Sequence, residues 1–577
     1  MTRHAILGTT RARPAWLPVA GLLFLAIAAS ISGLFNQWAQ DDFPIIWKNP
    51  AVHDLLHSYR FFAQPYWPKP FTPDLYRPLA VLSYAVQWAV SGGAPMFFRV
   101  ASYALYAGGA VVVFRLAQRL LPFAAAFAVA ALFAVHPVHV EAVAMAVNQG
   151  ELWVGLLSCL AVIHYLDARR RGGPLGVRTE LGLTGLYLIA CFFKENALVL
   201  PGLLLAVEVL LLPGGEPLRA RWARGRRLLL LLMLVAVSFF GVRTLVLSGD
   251  LVGTFTAEGL AYLTMGQRAL TMLSVVPRWF GLLLWPSHLQ ADYSPAEIEA
   301  QTAWGSAQTL GALLLVAAVL AGVLAWRRRP VITFGLAWCA IALFPVHNVL
   351  VPTGIVLAER TLFLPSIGAL LALGGLGAVL VEQARPRARF ALAAAVGALL
   401  ILGVARSTTR HPVWADQFGL WYETANRDAP KSYRAHHALA ELYYVAGSEG
   451  RAEREYRLAI AYSPAKVSMV YLDYANKLRL KGFCYPAMEL YRRALQIHPN
   501  NMAARTSLVA CLVHLGQYRE AREVARIGIA YDWQVPTWQG FRNTADSALK
   551  VGAPPGAVRL SLLSDTVGTY LNIGGRP

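Results

Sequence analysis

Two adjacent carboxylates, Asp41 and Asp42, open the stretch "DDFPIIWKNP" directly after the first long apolar run, "WLPVAGLLFLAIAASISGLF". Ionisable groups beside hydrocarbon are costly, so such a pair marks either a solvated span end or a reaction centre. The apolar "FPIIW" that follows draws the pair toward a membrane surface. Two like charges side by side raise one pKa unless a cation is near, and a carboxylate so placed can take a proton from a hydroxyl.

Further ionisable groups interrupt the apolar runs. His136, His139 and Glu141 lie in "HPVHVEA", and Glu151 closes the same stretch in "NQGE". The histidines stand three apart, but Pro137 disrupts helical presentation, and a zinc site needs more ligands than the sequence offers. Hydrogen bonding around a polar headgroup suits them better. Lys194 and Glu195, in "KEN", and Glu359 and Arg360, in "PTGIVLAER", are two acid–base neighbours. Each couple can pair internally, or its cation can hold a phosphate; a guanidinium does so through a planar fork. Asp292, in "LQADYSP", reads as a loop acid or helix cap.

The elements that must position these groups are helical. Of 577 residues, 56% are hydrophobic and 15% charged, where a soluble chain carries about a quarter charged. The apolar runs extend to about residue 405 and an ordinary polar, helical sequence follows, which predicts a polytopic membrane domain over 1–405 and a soluble one over 406–577. The net charge of +20 sits largely in short clusters between apolar runs, "ARRRGGPLGVR", "RARWARGRR", "WRRRP" and "RPRAR". That placement argues for topology signals held on the cytoplasmic side and against nucleic-acid binding. With these clusters and the N-terminal Arg3, Arg11 and Arg13 inside, eleven spans are expected. They lie near 15–35, 97–119, 122–137, 151–167, 180–194, 197–212, 228–247, 305–325, 331–350, 361–381 and 388–405. The segments 78–92, flanked by Arg77 and Arg99, and 267–286 are then interfacial. Asp41 and Asp42, the histidine stretch, "KEN", "AER" and the C-terminal domain all fall on the external face. With no CxxC among the five cysteines, no disulfide framework is expected.

The C-terminal part repeats. Gly447, Gly482 and Gly516 are each followed five residues later by Ala452, Ala487 and Ala521; Tyr456, Tyr491 and Ala525 come next, then Ala459, Ala494 and Gly528. Pro464 and Pro499 close two units, with Trp533 in that place in the third. A period of about 34 is the tetratricopeptide length. Units near 433–466, 468–501 and 502–535, and a capping helix after them, predict an all-α solenoid whose groove takes an extended peptide or protein.

The ordered set is specific. An acidic pair after the first span is followed by "YRPLAVLSYAV", "ALFAVHPVHVEAVAMAVNQGE", "CFFKENALVLP", "LLLWPSHLQADYS" and "VLAERTLFLPSIG", with the repeats last. It resembles the transmembrane and tetratricopeptide-repeat-containing O-mannosyltransferases of the GT-C glycosyltransferase superfamily, over nearly the whole chain. The resemblance implies a polyprenyl-phosphate sugar donor, an external active site, and inverting transfer, commonly of mannose, to Ser or Thr of proteins. It assigns the catalytic acid to Asp41 with Asp42 in support, and donor binding to Arg77, His136, His139, Glu141, Glu151, Lys194, Glu195, Glu359 and Arg360. An activated phosphate donor needs no metal in principle, while the superfamily includes metal-using members, so a divalent metal stays open without being indicated by the sequence. The short repeat array and the Arg/Ala-rich, Lys-poor composition point to a bacterial inner-membrane member. Two other readings stand beside this one: a transferase acting on lipid or glycan of the envelope, and a membrane-anchored scaffold without catalysis.

Overall fold

The computed structural model describes residues 16–562 except 70, 72–73, 213–216, 250–255, 465–466, 532–534 and 561. Arg3, Arg11, Arg13 and Trp533 therefore lie outside the described residues. The fold is all-helical, with no strand among the described residues. It divides into two compact units, one formed by the chain up to Thr256 with Leu263–Ala291 and Gln301–Leu420, the other by Ala257–Tyr262, Asp292–Ala300 and the chain from Trp421.

The first unit contains α1 (Leu17–Ser30), α2 (Pro78–Ser91), α3 (Pro95–Gln118), α4 (Phe123–Ala134), α5 (Val140–Ala144), α6 (Gln149–Arg170) and α7 (Val177–Phe193). It continues through α8 (Leu200–Ala206), α9 (Leu218–Val246), α10 (Met265–Leu284), α11 (Ser306–Ala325), α12 (Pro330–Leu343), α13 (Phe363–Gln383) and α14 (Pro386–Arg410). Proline stands in the first turn of α2, α3, α12 and α14, where its missing N–H costs nothing. A Thr264–Gln267 capping box starts α10.

Among the described residues, six helices are long and apolar enough to cross a bilayer: Pro95–Gln118, Ala146–Arg170, Arg224–Val246, Ser306–Ala325, Glu359–Gln383 and Pro386–Trp414. Phe123–Ala134 and Pro137–Ala144, bent by 44°, make a seventh if they are one broken span. Other segments expected to span are shorter: Leu17–Gly33 and Pro330–Val346, and the 17-residue α7. Near 197–212 the chain is a tight turn, the 7-residue α8 and a widened turn rather than one long helix. Helices α12 and α13 cross where a Cβ on Gly335 would lie 2.5 Å from the Gly368 carbonyl oxygen. Two glycines thus let the backbones meet, the small-residue packing of apolar helices that have little hydrophobic drive between them.

Charge is sorted along the helices. On α3 and α6 the arginine-rich ends coincide, because Arg119 grips Asp167 at 2.6 Å and Arg170 donates to the Arg119 carbonyl. Arg99 and Glu151 occupy the opposite ends of the same two helices. On α7, which runs back, Glu180 is in the first turn and Lys194 is the C-cap.

The second unit follows the short α15 (Gln417–Glu423) with three helical hairpins. These are α16 (Tyr433–Val445) with α17 (Glu449–Tyr462), α18 (Met469–Leu480) with α19 (Cys484–Ile497), and α20 (Met502–His514) with α21 (Tyr518–Tyr531); α22 (Val535–Lys550) comes last. Gly447, Gly482 and Gly516 turn each hairpin with φ of 72°, 84° and 74°, a conformation in which glycine is free of Cβ strain. Buried Ala452, Ala487 and Ala521 let the paired helices approach, and Tyr456 and Tyr491 fill the space beside them. Tyr456 donates to Glu441, and Tyr491, one repeat on, donates to Asn476 at 2.8 Å. In the third repeat the corresponding places hold Ala525 and Ala510, both buried. Cys484 and Cys511, Cα atoms 5.2 Å apart, form a disulfide between α19 and α20. No disulfide framework was expected; this single bridge arises because antiparallel packing brings together cysteines whose 27-residue separation carries no sequence signal.

Candidate functional site

Most of the ionisable residues singled out in the sequence of the first unit gather at the helix ends opposite the arginine clusters, where four ion pairs form. Arg77, the N-cap of α2, forks onto Glu195 with Nε–Oε2 at 2.9 Å and Nη2–Oε1 at 2.5 Å. Lys194 Nζ lies 2.7 Å from Glu151 Oε1, and Asn196 donates to the other oxygen of that carboxylate at 2.6 Å. Arg360 grips Glu141 twice, by its side chain and by its backbone N–H at 2.8 Å. Arg99 Nη2 lies 3.2 Å from Asp42 Oδ2. Glycine explains one of these meetings: a Cβ on Gly150 would sit 3.1 Å from the Phe193 carbonyl, so α6 begins close enough to the end of α7 for Glu151 to reach Lys194.

The electrostatics follow from burial and pairing. Burial pushes the Glu195 carboxyl up, but the Arg77 fork overcomes it and holds the group at about 2. Burial pulls the Lys194 ammonium below its usual range, with Glu151 opposing. Glu141 and, next to it in strength, Asp41 attract the Arg360 cation. Asp41 is therefore within electrostatic reach of Arg360. It is also half-buried, at the end of a turn in which Gln40 adopts a φ of 48°, the left-handed region that non-glycine residues rarely enter.

The two aspartates differ. The Asp42 carboxylate is fully buried and accepts from Val147 N at 3.0 Å and Ala146 N at 3.4 Å besides Arg99. Burial raises its pKa, with Arg99 and the backbone donors opposing. Glu359 is also turned inward and accepts from Gln290 N at 2.5 Å. His136 and His139 do not join the ion pairs. They are buried, His136 within 3.1 Å of the Leu283 carbonyl and His139 within 2.8 Å of Ser366 Oγ. Both rings thus hydrogen-bond within the helix packing.

A seam fastens the Asp41 turn from behind. Ser32 donates to the Thr408 carbonyl, Asn36 to the His411 carbonyl, Gln37 N to Ala415 O, and Gln40 N to Gln417 Oε1, at 2.6–2.8 Å. Residues not nominated from the sequence also stand here. Arg243, in the last turn of α9, is buried with Asp74 4.0 Å away, and its Nε has no hydrogen-bond partner. An arginine inside the apolar stretches "FFRVASY" and "FFGVRTLV" is the signal that could have flagged Arg99 and Arg243.

In the second unit, His437, Glu441 and Asp473 bring ligand atoms within 4.8 Å of one another. Lys477 Nζ is already 3.0 Å from Glu441 and supplies a cation there. A divalent ion would have to displace or tolerate that ammonium.

Apolar helices of spanning length with a shared cluster of ion pairs at one set of helix ends, followed by helical hairpins, fit a membrane protein with a C-terminal tetratricopeptide-repeat region. A tetratricopeptide repeat family model matches residues 487–540. The relatives are protein O-mannosyl-transferases: one from Caenorhabditis elegans is 23% identical over 77% of this chain, TMTC3 of Mus musculus 26% over 58%, and Tmtc2 of Drosophila melanogaster 32% over 28%. The chain spans 62% of the length of the worm relative and 40% of the mouse one. No solved structure matches it.

Proposed function

We propose that this chain is an integral membrane glycosyltransferase of GT-C type. It moves a sugar, mannose by analogy with its relatives, from a polyprenyl-phosphate donor to Ser or Thr hydroxyls of proteins at the external face of a bacterial inner membrane. The observation that carries this reading is the gathering of Asp41, Arg360, Glu141, Glu151, Lys194, Glu195 and Arg77, drawn from five separate stretches of sequence, at the helix ends remote from the arginine clusters. Arginine-rich ends stay cytoplasmic, which puts this cluster outside.

In the proposed reaction Asp41 accepts the proton of the acceptor hydroxyl as its oxygen attacks the anomeric carbon. The bond from that carbon to the phosphate oxygen breaks on the opposite face, and the anomeric centre inverts. Negative charge grows on the departing phosphate. Arg360 and Lys194, each fixed in direction by one carboxylate, turn their remaining N–H donors to it. Because Glu141 and Glu151 hold these cations beforehand, no side chain need reorganise during transfer. The repeat unit presents the acceptor chain, and the lipid tail lies between spans.

Purified protein in nanodiscs supplied with polyprenyl-phosphate mannose and envelope protein should yield glycopeptides by intact-mass glycoproteomics, and Asp41→Asn should abolish them while leaving the chain folded. Unchanged glycopeptides beside altered lipid glycans would transfer the reading to an envelope lipid or glycan acceptor. Equal activity of Asp41→Asn and the parent would end it.

A further inference from the structure

The second aspartate and its arginine are an expensive arrangement. Arg99 and Asp42 are both wholly buried, and Arg99 Nε and Nη1 have no hydrogen-bond partner. A buried ion pair often contributes no more to stability than apolar residues of the same volume, and unsatisfied buried donors cost more still. Such a pair is retained where it fixes a geometry that apolar packing would leave loose.

What it fixes can be read from its contacts. Arg99 comes from the second turn of α3. Its Nη2 donates to the Gln37 carbonyl at 2.6 Å as well as facing Asp42, and its guanidinium lies 5.8 Å from the Trp38 ring centre. Asp42 reaches across to the Ala146 and Val147 amides, in the short turn between α5, which carries Glu141, and α6, which opens with Glu151. Tyr84 of α2 caps the same turn by donating to the Val147 carbonyl at 2.9 Å. One buried carboxylate thus ties the Asp41 turn to α3 and to the hinge between the carboxylates that orient Arg360 and Lys194.

We propose that Asp42 and Arg99 form a positioning strut that sets the separation between Asp41 and the two cation-holding carboxylates, so that the neighbouring aspartates have divided roles, one reacting and one measuring distance. This rests on the transferase reading. A misplacement of about 1 Å at a reacting centre costs on the order of 100-fold in rate, and the strut spans the parts that must keep register.

The test compares Asp42→Asn, and the double variant Asp42→Asn with Arg99→Met, to the parent chain in nanodiscs. Asparagine keeps an acceptor for Val147, and methionine removes the buried cation. The strut predicts folded proteins whose kcat falls by about 30-fold with KM for the polyprenyl-phosphate sugar changed less than about twofold. The acidic limb of the pH–rate profile stays, since Asp41 still titrates. Hydrogen exchange adds a readout independent of activity: the Ala146 and Val147 amides should lose protection in Asp42→Asn. Unchanged kcat, or a vanished acidic limb that would make Asp42 a titrating participant, overturns the proposal. If the parent transfers no sugar at all, the transferase reading falls alone, and the exchange of these two amides still decides the strut, with unaltered protection refuting it.

Discussion

The Arg77–Glu195 fork offers the most quantitative check on the ion-pair cluster. Glu195 is held at about 2 against an ordinary value of 4.5. A depression of about 2.5 units corresponds to roughly 3.4 kcal/mol of preference for the ionised form. The Glu195 side chain is 26% exposed, so solvent screening brings this to about 2 kcal/mol. Because the folded pKa is depressed, the contribution is complete above pH 4.5 and disappears as pH falls toward 2. At pH 3 the unfolded carboxyl is mostly protonated while the folded one is still ionised, and about two fifths of the effect remains. A double-mutant cycle of Arg77→Met and Glu195→Gln, read by reversible unfolding in mixed micelles, isolates this term from the separate cost of a lone buried guanidinium. The expected coupling is about 2 kcal/mol at pH 7, dropping below half of that at pH 3. A coupling that is the same at both pH values, or below about 0.5 kcal/mol at pH 7, would refute the assignment of Glu195 as a strongly held anion.

Lys194→Met should lower kcat for transfer from a polyprenyl-phosphate sugar about tenfold or more, with a smaller rise in KM, in steady-state kinetics, as expected when a cation mainly meets charge that grows in the transition state. Gly368→Ala should lower thermal stability by about 1–3 kcal/mol, because the added methyl meets the Gly335 carbonyl at 2.5 Å and the helices must separate. Tyr456→Phe should cost about 1–3 kcal/mol in denaturant titration, more than Tyr491→Phe, since it strips a donor from a buried carboxylate rather than from an amide. Cys484→Ser should destabilise the repeat unit by about 3.5 kcal/mol, the loop-closure value for a 27-residue separation, measured by proteolysis with and without reductant.

The repeat unit was largely legible in the sequence because its packing rule is local. A glycine turn, an alanine at the crossing and a tyrosine beside it recur every 34 or so residues, and α16 to α21 follow that spacing. The ion-pair cluster was legible only as a set of residues. Glu141 and Arg360 were both nominated as ligands for a headgroup, yet they hold each other across 219 positions, and nothing in either local sequence encodes the partner. Lys194 and Glu195 looked like a pair, but successive residues at a helix end point apart, and each found an older neighbour, Glu151 and Arg77. His136 and His139 were conspicuous as histidines in apolar sequence, but their partners, the Leu283 carbonyl and Ser366 Oγ, lie 147 and 227 positions away and no local pattern names them. The number of crossings was the least legible feature, because kinks at Pro137 and near Pro201 split apolar runs that composition alone reads as continuous.

The seam joining residues 32–40 to residues 408–417 carries a temporal consequence. Its contacts bridge about 375 positions, and ribosomes extend a chain at about 5–20 residues per second. The stretch bearing Asp41 therefore emerges roughly 20–75 s before the partners that brace it exist. Throughout that interval the Asp41 turn lacks this backing, and the seam can close only when the chain has been made as far as residue 417. The order of synthesis thus leaves its mark on every unfinished copy: one halted short of residue 417 carries the Asp41 turn without the full set of contacts that back it.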